Sequence, residues 1–369
     1  MPQVVRGILM VRRDGSGMLC DPEHLFRSQG TLAYVPRGLI REFSLIPGVR
    51  LEGTAQQEKK SDLTLHDIRT VCGLSPEQFA RRAPFDQLTS IAPNERFHIG
   101  RSEKMTMRVM DLFCPIGKGT RGLIVSPPKA GKTTILEDLA NAVIDEHPDA
   151  RVIALLIDER PEEVTQFRRA TRAEVWASNM DQAYADHVAL VQLTLNHVRA
   201  ELECGHNVMV LCDSITRMAR AFNVEGGGSG RTMTGGLDAS AMQVPRRFFG
   251  IARNIEGGGS VTALATALID TGSRMDNLIF EEFKGTGNSE IVLDRHLAEL
   301  RIFPAINVNA SGTRREEELY EPQELKMVHR LRRVLADRNP AEIMTHLLSA
   351  MRKTASNEEF LASLPGADD

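Results

Sequence analysis

Ser126–Thr133 reads SPPKAGKT and lies between the apolar run Leu123–Val125 and the helix-like stretch Thr134–Ile144. A strand, a tight loop and a helix in that order make a cradle for phosphate. Backbone N–H groups turn inward around the anion, and the helix N-terminus adds the positive end of its dipole. Gly131 allows close backbone approach, Lys132 reaches the β- and γ-phosphates, and the Thr133 hydroxyl suits Mg²⁺. The general pattern wants glycine at the first loop position. Here that position is Ser126, and Pro127 and Pro128 stiffen the loop through their locked φ. Nucleoside triphosphate hydrolysis is the first expectation; the plainer reading is a Gly-Lys-Thr that merely opens a helix.

The whole chain sets wide bounds. Its 369 residues suit about two domains, and 42% apolar residues are ample for a packed core. A net charge of −4 announces no global basic field, although a ring or cleft can still concentrate positive charge locally. Cys20, Cys72, Cys114, Cys204 and Cys212 form no C-x-x-C pair and no metal-ligand spacing, so reduced thiols in a cytosolic protein are expected. The opening MPQVVRGILM lacks the pattern of a signal peptide. No apolar run approaches the roughly 20 residues that cross a bilayer, so no membrane partner is expected and the localisation expected is cytoplasmic.

Two styles of sequence divide near residue 100. Residues 1–60 hold short apolar runs, Val4–Val11, Leu32–Val35 and Leu39–Ile46, separated by Gly, Pro and Asp turns, which predicts a small all-β domain. It carries nine Lys/Arg against six Asp/Glu. Residues 61–104, with a strand candidate at Thr64–Ile68, read as a linker. Over 105–369 the pattern is α/β. Leu123–Val125, Val152–Ile157, Val208–Leu211 and Val261–Leu268 are buried-strand candidates alternating with the helical stretches Thr134–Ile144, Val164–Arg169 and His187–Glu203. That alternation predicts a parallel sheet covered by helices on both faces. Pro322–Arg338 and Ala341–Lys353 read as amphipathic helices, and Gly226–Gly230 and Gly257–Ser260 as mobile loops.

Hydrolysis needs more than a phosphate cradle. Val208–Cys212 runs into Asp213, an acid at a strand end where it can hold Mg²⁺ beside the loop, or else cap the next helix. VIALLIDER, Val152–Arg160, also ends in acid and is expected to pair beside the phosphate-loop strand. Glu159 there can act as general base on water, the alternative being a surface charge cluster. Positive charge against the transition state often arrives from a neighbouring subunit. Arg301 and Arg314 are candidates, although spacing alone does not separate them from surface arginines. Phe303 is either an adenine platform or core.

Long stretches carry a resemblance: SPPKAGKTTILEDLA, LLIDERPEEVTQFRR, DSITRMARAFN, TMTGGLDASAM, RRFFGIARNIE, ALATALIDTGSRMD, EEFKGTGNSE and RIFPAI followed by SGTRREEEL. In register across residues 100–330, they resemble the transcription termination factor Rho family. The resemblance implies a RecA-like P-loop NTPase core in a homohexamer that threads single-stranded RNA 5′-to-3′ through its pore. Such a ring displaces nascent RNA from the RNA polymerase elongation complex. It also implies roles. Lys129, Ala130, Gly131, Lys132, Thr133, Thr134 and Arg160 take ATP, and Phe303 stacks on adenine. Thr133 and Asp213 take Mg²⁺, and Glu159 activates water. Arg314 is the trans arginine with Arg301 nearby. Arg231 and Thr232 lie in a first pore loop and Arg274 in a second, where the family usually carries Lys.

The N-terminal unit is similar to that family's OB-fold, of cold-shock type, in GILMVRRDGSGMLCD and LAYVPRGLIREF. Two departures are expected to matter. The helical segment that precedes the OB-fold in the family is expected to be absent, and the aromatic positions of the D-G-x-G-x turn are Ser16 and Met18. Tyr34 remains for base stacking, with Arg12 and Arg13 among the arginines for phosphates, so a weakened or altered RNA-loading site is expected. Two other readings stay open: a family-derived RNA-binding regulator with weak ATPase, and a general RecA-type motor on DNA or protein.

Overall fold

In the computed structural model, which describes residues 2–24, 30–58, 62–226, 235–336 and 338–364, the chain opens on a closed barrel. Its strands are β1 (Gln3–Val11), β2 (Gly17–Cys20), β3 (Thr31–Val35), β4 (Arg50–Glu58) and β5 (Asp62–Val71), in the order β1-β2-β3-β5-β4 with β4 pairing back onto β1. Only β3 and β5 pair in parallel, through Tyr34 and Thr64. Alternation decides what fills it: Leu9, Leu19, Ala33, Val35, Leu51, Ala55, Leu65 and Ile68 point inward and are buried. A five-stranded closed barrel of this kind is an OB-fold.

The barrel runs past the boundary expected at residue 60. β5 lies wholly inside the stretch expected to be linker, and without it β3 and β4 would each leave an open edge. Only the candidate Thr64–Ile68 shows in the sequence, because the outer face of the strand meets water: His66, Asp67 and Arg69 are exposed while Leu65 and Ile68 are buried.

The second unit is a sheet built from β6 (Ser90–Ile91), β7 (Arg121–Ser126), β8 (Arg151–Glu159), β9 (Glu174–Asn179), β10 (Asn207–Asp213), β11 (Arg253–Ile255), β12 (Ser260–Leu268), β13 (Ser289–Val292) and β14 (Gly312–Thr313). Its main path is β14-β13-β7-β12-β10-β8-β9, parallel throughout except for the edge strand β14. Successive residues of each strand enter opposite cores. Ile124, Ala154, Leu156, Met209 and Leu211 join the cluster under the helices Met105–Phe113 and Lys132–Glu146. Leu123, Val125, Ile153, Leu155 and Val210 join the cluster under the helices Tyr184–Glu203 and Ile215–Glu225. Burial on both faces is why these strands read as near-continuous apolar runs.

Two expectations about this sheet are corrected. β8 does not pair beside β7; β12 and β10 stand between them. The connecting helix Lys132–Glu146 is 15 residues long, about 22 Å at 1.5 Å per residue, and it crosses over positions that later strands fill. The glycine run Gly257–Gly259 is a tight turn joining antiparallel β11 and β12 rather than a mobile loop. Gly257 has φ +65°, and a Cβ on Gly259 would stand 2.2 Å from the His206 carbonyl oxygen. Gly227–Gly230 falls outside the described residues.

The barrel sits on the α/β unit through the helix Tyr184–Glu203. His197 Nδ1 lies 2.8 Å from the Gly48 carbonyl oxygen, and Ala200 is part of the barrel's own core cluster. A Cβ on Gly48 would stand 2.3 Å from the Asn196 carbonyl carbon, so glycine is required for this close approach. Arg151 and His206 both reach the Cys72 carbonyl at the end of β5, at 3.1 and 2.8 Å.

Candidate functional site

The parallel strands all end on one side of the sheet, and the candidate site is assembled from the ends of β7, β8 and β10. After β7 the chain turns through Pro127–Gly131, with Lys129 at φ +65° and Gly131 at φ +91°, into the helix that begins at Lys132. The left-handed backbone at both positions bends the loop tightly enough to turn consecutive N–H groups inward. Ser126 is fully buried and its hydroxyl donates to its neighbour's carbonyl, that of Pro127, at 2.9 Å. The residue that departs from the usual glycine is thus a satisfied part of the strand end.

Lys132 is the hub. Its Nζ lies 2.5 Å from Asp213 Oδ2 and 3.7 Å from Glu159 Oε2. Burial alone would pull the Lys132 amine down, but the two carboxylates outweigh it and hold the group above its ordinary value. Asp213 is fixed from the other side, since Thr266 Oγ1 on β12 donates to its Oδ1 at 2.8 Å. Thr133, on the next helical residue, is half-buried at the mouth of the loop.

Glu159 ends β8 and is 3% exposed. Arg217, on the helix that follows β10, donates to its Oε1 at 3.2 Å and also to the Asp158 carbonyl. Oε2 has no hydrogen-bond partner among the described residues. Burial raises this carboxyl to about 7; Lys132 and Arg217 pull it down and Asp213 pushes it up. A buried carboxyl that titrates near neutrality, with one free oxygen, is suited to take a proton from water. Reading the sequence alone missed both Arg217 and Thr266. The signal for Arg217 is its place three residues after the helix cap Ser214, which accepts from its backbone N–H; Thr266 is a polar residue inside an apolar strand.

On the outer side of the loop, Phe303 and Pro304 face Lys129, Ala130, Gly131 and Thr134 across a cavity of about 290 Å³. Phe303 is 46% exposed, so its ring forms a wall of that cavity and is not core. Arg301 precedes it with φ +60° and is exposed. Arg160 is also exposed and lies 3.7 Å from Glu163.

Other expected site residues lie elsewhere. Arg314 follows β14 and its backbone N–H donates to the Asn288 carbonyl, just before β13 begins. Asn288 in turn is bonded to Arg121 at the start of β7, whereas the phosphate loop leaves the end of β7. Arg314 is therefore separated from its own loop by the length of that strand, about 16 Å for five residue steps. Arg274 is exposed at the first turn of the helix Arg274–Lys284, against which Gly235 packs. Arg231 and Thr232 lie outside the described residues. On the barrel, Tyr34 pairs across the strands with Met18, and Arg12 and Arg13 are exposed at the end of β1. Ser16 is buried and donates to the Asp14 side chain at 2.7 Å.

No described helix is long and apolar enough to cross a membrane. Residues 106–313 match the ATP synthase alpha/beta family, nucleotide-binding domain. A transcription termination factor Rho from Chromobacterium violaceum is 45% identical over 364 residues, covering 97% of this chain and 87% of the relative. Another, from Aquifex aeolicus, is 46% identical over 367 residues, covering 98% of this chain and 84% of the relative. Among solved structures, a prototypical ATPase from the type III secretion system of pathogenic bacteria is similar with a TM-score of 0.65 at 21% identity. That likeness covers 85% of this chain and 94% of that one, and at such identity it speaks to fold alone.

Proposed function

The chain belongs to the transcription termination factor Rho family and is an ATP hydrolase, and from that premise we propose that it works as an RNA-dependent motor. On this reading a homohexamer moves 5′-to-3′ along single-stranded RNA and terminates transcription by displacing the nascent strand from RNA polymerase. The observation that carries the motor reading is the division of the site. Lys132, Asp213 and Glu159 meet at one end of the sheet while Arg314 lies at the other, which supports a site that Arg314 of an adjacent copy completes.

ATP is taken with its phosphates on the loop Lys129–Thr134 and its adenine against Phe303. Arg160, exposed beside Glu159, and Arg301, beside Phe303, complete the charge around the nucleotide. Glu159 Oε2 accepts the proton of a water whose oxygen forms a bond to the γ-phosphorus as the bond to the bridging oxygen breaks, releasing ADP. Arg217 orients Glu159, and Arg314 of an adjacent copy meets the charge that develops. Mg²⁺ takes hard oxygen ligands and keeps several waters, so the Thr133 hydroxyl and, through a water, the carboxylate of Asp213 would hold it with the nucleotide phosphates. When bound it neutralises phosphate charge.

RNA is gripped in the pore by Arg231, Thr232 and Arg274 and loaded on the barrel by Tyr34, Arg12 and Arg13. One observation favours a second reading for the barrel, a regulator with altered loading. Met18 stands beside Tyr34 where an aromatic residue would offer a second stacking platform. ATPase rates across RNA homopolymers test both. Strong stimulation by RNA and none by single-stranded DNA is expected of the motor; a slow rate indifferent to RNA sinks that reading and leaves the regulator.

A further inference from the structure

Beside Arg314 lies a cleft of about 500 Å³ that no assigned role has yet used. Arg121, Arg253, Arg314 and Arg315 line it, and no carboxylate is among its described lining residues. Arg315 is paired with Glu318 at 2.7 Å. The other three have no ion-pair partner among the described residues. Arg121 Nε is buried and makes no hydrogen bond with the described residues. Arg253 donates to the Gly250 carbonyl at 3.1 Å and lies 4.3 Å over the Phe85 ring. Burial, together with the charge of Arg121, holds Arg253 below its ordinary value, so the two cations stand close enough to repel. Like charges gathered in a cleft without counter-ions are costly unless an anion completes them.

The anion cannot be the nucleotide of the same subunit, because Arg121 begins the strand whose other end carries the phosphate loop. Lys132, meanwhile, is already engaged by two carboxylates, leaving its phosphates short of positive charge. We propose that Arg121 and Arg253 extend the trans cation set. With Arg314 they receive the terminal phosphates of a nucleoside triphosphate held in the loop of an adjacent copy of this chain. This inference rests on the motor reading above and names a part of its inter-subunit site. Arg314, exposed, reaches the reacting phosphate, and the half-buried Arg121 and Arg253 supply field behind it.

The test uses the full chain with RNA and the variants Arg121→Ala, Arg121→Lys and Arg253→Ala, each checked for an unchanged melting temperature. Arg121→Ala is expected to lower kcat about tenfold or more with little change in the KM for ATP, and Arg121→Lys to restore part of it. Retention of ADP with aluminium fluoride, a mimic of the phosphoryl group in transfer, is expected to fall in Arg121→Ala rings. It should recover when those subunits are mixed with Lys132→Ala subunits, which bind no nucleotide but offer an intact Arg121. Unchanged kcat and retention, or no recovery on mixing, overturns the inference. So does a loss confined to RNA affinity, which would assign the cleft to RNA phosphates. A wild-type chain that hydrolyses no ATP overturns the motor reading instead, and fluoride retention still tests the cleft.

Discussion

Arg217 Nη2 lies 3.2 Å from one oxygen of Glu159, while the other oxygen, Oε2, has no hydrogen-bond partner among the described residues and faces Lys132 Nζ at 3.7 Å. The carboxyl is thus oriented through one oxygen and open through the other. That division of labour suits a general base, and it makes the strand end of β8 the most informative place to perturb.

Glu159 is raised from 4.5 to about 7 by burial, so hydrolysis by a base at this position should fall as pH drops through neutrality. The pH profile of kcat measures it. Glu159→Gln should cost about 100-fold or more and flatten that limb. Arg217→Ala removes an interaction that favours the charged form, so its midpoint should move upward. Stability carries the opposite sign. The folded chain favours the protonated carboxyl, so that contribution is full below about 4.5 and lost as pH rises through about 7. Urea unfolding of Glu159→Gln should lack this decline. A wild-type kcat profile flat from pH 6 to 8 would sink the assignment.

Phe303 is half-exposed and walls the cavity beside the phosphate loop, with Gly131 near enough that a Cβ would stand 3.7 Å from its ring. An aromatic platform contributes about 1–3 kcal/mol per stacked base. Phe303→Ala should therefore raise the KM for ATP about tenfold and leave kcat nearly intact, because ground state and transition state lose the same contact. Phe303→Tyr should behave as wild type. Fluorescent nucleotide titration separates this from a core role, which would lower the melting temperature instead.

Arg108 supports the site from behind. Buried in the helix Met105–Phe113, it donates to the carbonyls of Met351, Thr354 and Ser356, to Thr354 Oγ1 and to Asn357 Oδ1. It ties the C-terminal helices to the core cluster that includes Lys132–Glu146. Arg108→Ala strands several buried acceptors and should cost about 3 kcal/mol in urea unfolding. Arg108→Lys cannot satisfy the same planar set and should recover less than half of that.

The legible parts of this chain are those where local chemistry repeats itself. Strands buried on both faces announce themselves as apolar runs, and SPPKAGKT carries its own strand, loop and helix. What failed was long-range. Nothing in VIALLIDER says that β10 and β12 will stand between it and β7, because strand order is set by crossovers. β5 is legible only as the short candidate Thr64–Ile68, and not as a barrel strand, because barrel strands bury one face only and more than half of DLTLHDIRTV is polar. Arg217 and Arg121 were missed because each looks like an ordinary surface arginine until the fold gives it a neighbour: the one Glu159, the other a cleft shared with Arg253 and Arg314.

The barrel holds the remaining test. Met18 and Tyr34 face each other across β2 and β3, so both side chains emerge on the same outer surface, with Tyr34 exposed and Met18 half-buried. Methionine is polarizable but has no π face. Ser16, two residues earlier, is buried and engaged by Asp14, so an aromatic ring there would have to displace that turn. Met18→Phe is the substitution the surface can accept. It should tighten binding of cytidine-rich single-stranded RNA by about 1–2 kcal/mol, roughly 5- to 30-fold, and lower the RNA needed for half-maximal ATPase in proportion. Tyr34→Ala should weaken both in the wild-type background. If Met18→Phe leaves RNA affinity unchanged while Tyr34→Ala abolishes it, one platform suffices and Met18 limits nothing. If neither variant moves affinity, the loading site does not lie on this face of the barrel.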